Sequence, residues 1–288
     1  MSVTKDLQYK FSRLNIAEKL IVINVVIYIV NTLLAFLFGL DYGFLMRWFE
    51  LPKAFGDFIV QPWSVVTYSF FHGGIWHVFW NMLLLYFSGR IFLNLFSAKT
   101  FINVYFLGAI AGGLVFLLSY NVFPVFSGIN TSLIGASAAV MAVLLFVCTY
   151  LPNQEVRVIF FNVKLWYIGV FVVLLDLIQL PMGNSGGHLA HLGGELLGFL
   201  YAKKLMDGKD IGEGFGNLID RLGSSFSRRK RSNLKTVHRS KRMNRDDKPS
   251  KQEYQKHIDA ILDKISKSGY ESLTKEEKDF LFKAGKED

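Results

Sequence analysis

Residues 75–120 read IWHVFWNMLLLYFSGRIFLNLFSAKTFINVYFLGAIAGGLVFLLSY, and Arg90 and Lys99 are the only Lys, Arg, Asp or Glu among them. Two helices written this way have almost no polar face. A surface helix of a soluble protein keeps a polar stripe opposite its apolar one. Residues 75–96 and 101–120 are each near the ~20 residues that a helix needs to cross ~30 Å of hydrocarbon. The pair therefore predicts helices that span a membrane.

Working outward, four more apolar runs complete the pattern, at 20–40, 135–151, 165–180 and 187–202. The expected fold is all-α, a polytopic body of six transmembrane helices. Composition agrees. The chain has 288 residues, 51% hydrophobic, 15% aromatic and 19% charged, with mean hydropathy +0.31. Soluble domains run at about 25% charged. A disordered chain is excluded by the same figures. The single cysteine, Cys148, excludes an internal disulfide framework and a four-cysteine zinc site. Nothing before residue 20 has the short apolar core and small-residue cleavage site of a signal peptide, so 20–40 is expected to be a retained span.

The net charge is +9, unevenly placed: residues 1–202 hold ten Lys/Arg and eight Asp/Glu, whereas 203–288 hold 22 and 15. Six spans put both termini on one side. That side collects Lys5, Lys10, Arg13, Lys19, Arg90, Lys99, Arg157, Lys164 and the whole tail. The other side receives Arg47 and Lys53, with Asp41, Glu50 and Asp57 beside them. By the positive-inside bias both termini are cytoplasmic, and the expected location is the inner membrane of a bacterial cell. The first outer loop, 41–74, is rich in Phe and Trp and suits either the headgroup zone or an ordinary packed loop.

Four segments are expected: an N-terminal cytoplasmic segment 1–19, a membrane domain 20–206, a basic flexible linker 207–249 and a small cytoplasmic helical hairpin 250–288. Arg228 to Arg245 contains nine Lys/Arg and no acid. Attraction to an anionic inner leaflet, at about 1 kcal/mol per basic residue near the surface, accounts for such a run. No nucleic-acid module accompanies it, so no nucleic acid is expected as a partner. In the hairpin, Ser250-x-x-Glu253 and Thr274-x-x-Glu277 read as helix-opening capping boxes. Tyr254, Ile258, Ile261, Leu262 and Ile265 share one helical face.

Polar groups inside spans are costly, so each is a functional candidate. Asn24 and Asn31 share a face of the first span and suit helix–helix hydrogen bonding. His77 and Asn81 stand one turn apart on one face. They are either glue between helices or two donors meeting at one point. Ser137 sits among small residues in Gly135-Ala136-Ser137-Ala138-Ala139, near the outer end of its span. A serine there bonds back to its own helix or serves as a buried nucleophile. His191 shares a face with Gly194, Gly198 and Ala202, a surface for close helix packing. If the fourth span packs there, Ser137 and His191 meet at matching depth. Glu195 either orients His191 or pairs with another buried group. Asp176 reads as a structural acid facing the bundle interior.

These residues resemble the rhomboid family of intramembrane serine proteases. Gln61-Pro62-Trp63-Ser64-Val65-Val66-Thr67, then His72-Gly73-Gly74-Ile75-Trp76-His77 through Asn81, is similar to the family's first-loop and second-span signature. Gly135-Ala136-Ser137-Ala138 resembles its Gly-x-Ser-Gly nucleophile motif, and Ala190-His191-Leu192-Gly193-Gly194 with Gly198 its base-bearing sixth span. Two positions depart from the pattern: Ala138 follows the nucleophile where the family usually has Gly, and Ser64 follows Trp63 where it often has Arg. Neither removes a catalytic group.

The resemblance implies a six-helix rhomboid-like bundle and a Ser–His dyad. Ser137 is then the nucleophile and His191 the general base. His77 and Asn81, with the Ser137 backbone N–H, form the oxyanion hole. His72, Gly135, Gly194 and Gly198 support it. His188, one turn before His191, is the rival base. No metal or cofactor is implied. The substrates implied are single-span membrane proteins, reached past the fifth span, with the glycine-rich segment 183–187 as a mobile cap. The rival readings are a catalytically silent rhomboid-like protein that binds membrane clients, and a transporter or channel lined by His77, Asn81 and His191.

Overall fold

The computed structural model describes residues 3–158, 160–226 and 251–284. The chain divides into two compact units, Met1–Arg229 and Lys230–Asp288.

The first unit opens with α1 (Val3–Arg13) and α2 (Ile16–Phe38). A capping box starts α2: the Asn15 side chain accepts from the Glu18 N–H, and Glu18 accepts from the Asn15 N–H. Gly39, with φ 60°, ends it in the left-handed region. The outer loop folds into α3 (Gly43–Met46), β1 (Leu51–Pro52), α4 (Phe55–Val60) and α5 (Ser64–Thr67). The bundle follows as α6 (Ile75–Leu93), α7 (Ala98–Val122), β2 (Ser132–Leu133), α8 (Ser137–Tyr150), β3 (Glu155–Val158), β4 (Phe161–Lys164), α9 (Leu165–Gln179), α10 (Ser185–Met206) and α11 (Glu213–Phe226).

The protein is an all-α membrane bundle. Ile16–Phe38, Ala98–Val122 and Leu165–Met182 are long and apolar enough to cross a membrane, and Ser137–Tyr150 is apolar but shorter. The functional polar groups predicted from sequence are concentrated on α6 and α10, which lowers the hydropathy of those two helices. Lipid tails are as apolar as leucine, so helix association in a bilayer relies on close packing. Small residues supply it. A Cβ on Gly194 would overlap the Ala138 carbonyl, one on Gly198 the Ala142 carbonyl, and one on Gly108 the Ala142 methyl. Helices α7, α8 and α10 thus meet with backbones nearly touching, and α8 is the innermost. Below this seam the core is aromatic: the Phe92 ring lies 4.6 Å from Phe146 and 5.4 Å from Phe101, and Tyr201 lies 5.8 Å from Phe146. All four are buried.

The outer loop is pinned to the bundle. Tyr68 donates its hydroxyl to the Ala109 carbonyl of α7 at 2.7 Å, while within the loop Trp63 donates Nε1–H to the Trp48 carbonyl at 2.8 Å. Antiparallel pairing of Leu51 with Leu133 and Pro52 with Ser132 ties the loop to the lead-in of α8. Trp48, Ile59, Val60 and Trp63 remain exposed. Ser64, where the family often has Arg, is buried with its hydroxyl unpartnered, and the loop is held by its neighbours instead.

Two features differ from expectation. Residues 155–164 form a β-hairpin, with Glu155 opposite Lys164 and Val158 opposite Phe161. The segment 207–249, expected to be a flexible linker, begins with an ordered helix. Lys99 holds Asp220 at 2.6 Å and Asn217 at 3.1 Å, and Tyr201 donates to Asp210 at 2.5 Å. The Lys99 contacts dock α11 on α7, and the Tyr201 bond ties the segment before α11 to α10. The basic run 228–245 lies outside the described residues.

The second unit pairs α12 (Lys251–Ser268) with α13 (Lys275–Ala284). Ile261 and Leu273 are buried, and the Phe280 ring meets Tyr254 at 5.1 Å and His257 at 4.8 Å. Thr274 and Glu277 exchange both capping bonds, at 3.3 and 2.8 Å. Ser250, expected to cap α12, lies outside the described residues.

Candidate active site

The chain enters α8 through β2 and a tight bend at Gly135, whose N–H donates to the Tyr68 carbonyl at 3.0 Å. Gly135 has φ 117°, a conformation that glycine alone takes readily. Ser137 is the first residue of α8. The first N–H groups of a helix have no acceptor within it. The Ser137 N–H is therefore unspent, and it lies at the positive end of the helix dipole.

A cavity of about 450 Å³ opens here, lined by His77 and Asn81 of α6, Ser137 of α8 and His191 of α10, with Trp80, Leu84, Met141 and Asn184 among its other walls. The four residues expected from sequence as nucleophile, base and oxyanion donors thus share one cavity. The small-residue seam brings them together: contact of Gly194 with Ala138 sets α10 against α8 directly below Ser137 and His191.

The His77 ring lies over Gly135, where a Cβ would approach its Nε2 to 2.6 Å. Asn81 donates one Nδ2–H to the His77 carbonyl at 2.8 Å and keeps its second amide hydrogen. His72 is buried behind them. Its Nε2 accepts from the Ala136 N–H at 3.4 Å, and its ring meets His77 edge-on at 5.0 Å. It braces the turn into α8 rather than facing the cavity. Ala138 is accommodated because Gly112 of α7 stands opposite its methyl.

Asp176 of α9 is buried and receives both histidines of α10 on one oxygen: Oδ1 lies 2.9 Å from His191 Nδ1 and 2.6 Å from His188 Nδ1. A carboxylate in its ionised form only accepts, and against it both rings would donate Nδ1–H. His191 then presents Nε2 on the opposite edge of its ring. His188 does not line the cavity. Glu195 is buried beside Asp176. Among the described residues, Asp176, His188 and His191 form a group able to hold a metal ion, with ligand atoms within 4.8 Å of one another. Hydrogen bonding accounts for the same geometry.

A rhomboid domain matches residues 60–207, about half of the chain and the part that builds the cavity. The chain belongs to the rhomboid family. It is similar to the presenilin-associated rhomboid-like protein, mitochondrial, of Rattus norvegicus, 31% identical over 161 residues, which cover 54% of this chain and 41% of that protein. RHOMBOID-like protein 12, mitochondrial, of Arabidopsis thaliana is 29% identical over 159 residues, covering 51% and 47%. The chain spans less than half the length of these rhomboid relatives. Residues 246–284 match a second family, one of unknown function (DUF6576).

The relatives correct the expected location. Both carry a mitochondrial designation. That designation belongs to the relatives, and it does not support the bacterial cell membrane expected from the sequence. The reason is physical: Lys/Arg bias reports which side a loop faces, not which membrane it faces from.

The sequence turned Asp176 toward the bundle interior, where the structure buries it, but did not reveal its two histidine partners. Its burial in an apolar span marked it as a candidate. However, α9 is apolar almost all round, so no periodicity says which face points inward.

Proposed function

We propose that this rhomboid protein is an intramembrane serine endopeptidase. The observation that carries the reading is the shared cavity, with Ser137 at the first turn of α8 and His191 across from it. Ser137 Oγ attacks a peptide carbonyl carbon while His191 Nε2 takes its proton. The C–N bond then breaks, and His191 returns the proton to the leaving amine. Water, deprotonated by the same nitrogen, hydrolyses the acyl-enzyme and regenerates Ser137.

Charge developing on the carbonyl oxygen is met by the Ser137 N–H, the free Asn81 amide hydrogen and His77. Donors of this kind contribute about 3–4 kcal/mol each to the transition state. Neither a metal nor a cofactor takes part.

Single-span membrane proteins suit the site as substrates. On α6 the cavity is lined by Trp80 and Leu84, and Trp80 is exposed on the outside of the bundle. A substrate segment must unwind before it is cut, since a helical backbone satisfies its own carbonyls. The basic run 228–245 is proposed to hold the following segment near an anionic leaflet.

The test is cleavage of a single-span substrate in detergent. Native protein cuts it, and Ser137→Ala and His191→Ala do not. Undiminished cleavage by Ser137→Ala overturns the reading. Binding of a membrane client without cleavage by the native chain supports the silent-binder alternative.

A further inference from the structure

The Ser–His pair just described needs no acid, yet α9 supplies one. Asp176 is buried in a helix that faces lipid on most sides, where an ionised carboxylate is costly unless it is used. It accepts from two imidazoles at once, and they differ in role. His191 lines the cavity, whereas His188, three residues earlier on the same face of α10, does not.

Resting on the proposed function above, we propose that Asp176 is a positioning residue for His191, making the site a three-residue relay carried on α8, α10 and α9. Donation of Nδ1–H to Asp176 fixes the His191 tautomer, so that Nε2 offers its lone pair to the cavity. When His191 takes the Ser137 proton, the imidazolium formed is held against a carboxylate already in place. His188 anchors Asp176 from the other side. Its 2.6 Å bond to the same oxygen keeps the carboxylate from swinging when a substrate enters. The other ionisable groups facing this cluster are Glu195 of α10 and His77 of α6.

The experiment uses the full-length chain in detergent with a single-span substrate, measuring kcat and KM separately. Asp176→Asn keeps the size of the side chain. Its amide can donate to Nδ1 and so favours the wrong tautomer. The expected result is a kcat lower by about 10²–10⁴-fold at unchanged KM and unchanged unfolding temperature, the pattern of losing a tautomer-fixing acid. His188→Phe, which removes one anchor of Asp176, is expected to lower kcat by less. A kcat for Asp176→Asn near that of the native chain, with Ser137→Ala and His191→Ala inactive, overturns this inference and leaves the protease reading intact.

A second measurement does not depend on the folding of Asp176→Asn. ¹⁵N-histidine NMR of the native chain, with His191 assigned by its loss in His191→Gln, is expected to show the Nδ1-protonated neutral tautomer. The Nε2-protonated tautomer overturns the proposal. So does loss of cleavage on EDTA treatment with recovery on adding Zn²⁺, which would make the same three residues metal ligands.

Discussion

Gly194 of α10 and Ala138 of α8 meet backbone to backbone, with no room for a Cβ between them. Gly198 repeats the contact with Ala142 one turn below. These two contacts set the distance between the helix that starts at Ser137 and the helix that carries His191. Any side chain added here moves one helix relative to the other, because the opposing atom is a carbonyl oxygen and cannot rotate aside.

Gly194→Ala is therefore expected to act on geometry more than on folding. Overpacking costs about 1–3 kcal/mol, whereas misplacement by about 1 Å costs about 10²-fold in rate. Thermal unfolding in detergent and substrate cleavage, measured on the same preparation, check this. A variant cleaving at the native rate would separate the glycine seam from the site.

Gly135→Ala combines two penalties. Its φ of 117° is strained for any L side chain, and the new methyl would approach His77 Nε2 to 2.6 Å. Backbone strain of this kind costs about 1–3 kcal/mol. Lower unfolding temperature together with loss of cleavage is expected, and an active, fully stable variant would contradict the described bend.

Asn81→Ala removes a donor from the cavity without altering the base. A kcat lower by about 10²–10³-fold with KM little changed is the expected outcome. A rise in KM alone would make Asn81 a binding residue and not part of the oxyanion hole.

Ala138→Gly restores the family's usual residue and tests whether that departure matters. Ala138 is the second residue of α8, so exchanging it for Gly costs less than the roughly 0.5–1 kcal/mol of a mid-helix glycine. Cleavage is expected to stay near the native rate, since the backbone N–H groups are untouched. A large gain in rate would show that Ala138 restrains the site.

In the second unit, Lys264 grips the Glu277 carboxylate at 2.8 and 2.9 Å, and the Thr274 N–H adds a third bond. The Lys264 hydrogen bonds, foremost, hold Glu277 below the ordinary glutamate range. A carboxylate lowered on folding stabilises the fold above its unfolded value, and that support is lost as pH falls through the lowered one. Glu277→Gln is expected to speed amide exchange across Lys275–Ala284 at neutral pH, and acidification of the native chain to loosen the same residues. Unaltered exchange would assign the pairing of α12 and α13 to Ile261, Leu273 and Phe280 alone.

Much of this was legible in the sequence. The charge-poor run 75–120 specified a bundle, and Gly194 and Gly198 marked a close-packing face of α10 whose partner, α8, only the structure supplies. The spacing of His77 and Asn81 placed both on the cavity side of α6. What stayed hidden has physical causes. Asp176 was expected to face inward, but α9 carries no periodic signal, so its partners His188 and His191 emerge only from packing. The β1–β2 pair is two residues long, too short to show alternation. The hairpin at 155–164 does alternate, with Glu155 and Arg157 taking turns with Val156 and Val158. The amphipathic spacing of Phe215, Leu218 and Ile219 in α11 was likewise present, but a basic run follows it directly and dominated the composition of the segment.

The most direct measurement is covalent labelling by a fluorophosphonate probe, which reports an activated serine whatever the substrate. The account predicts labelling of the native chain at Ser137, its loss in Ser137→Ala and marked slowing in His191→Ala. A native chain that stays unlabelled, or one labelled equally after Ser137→Ala, would contradict it.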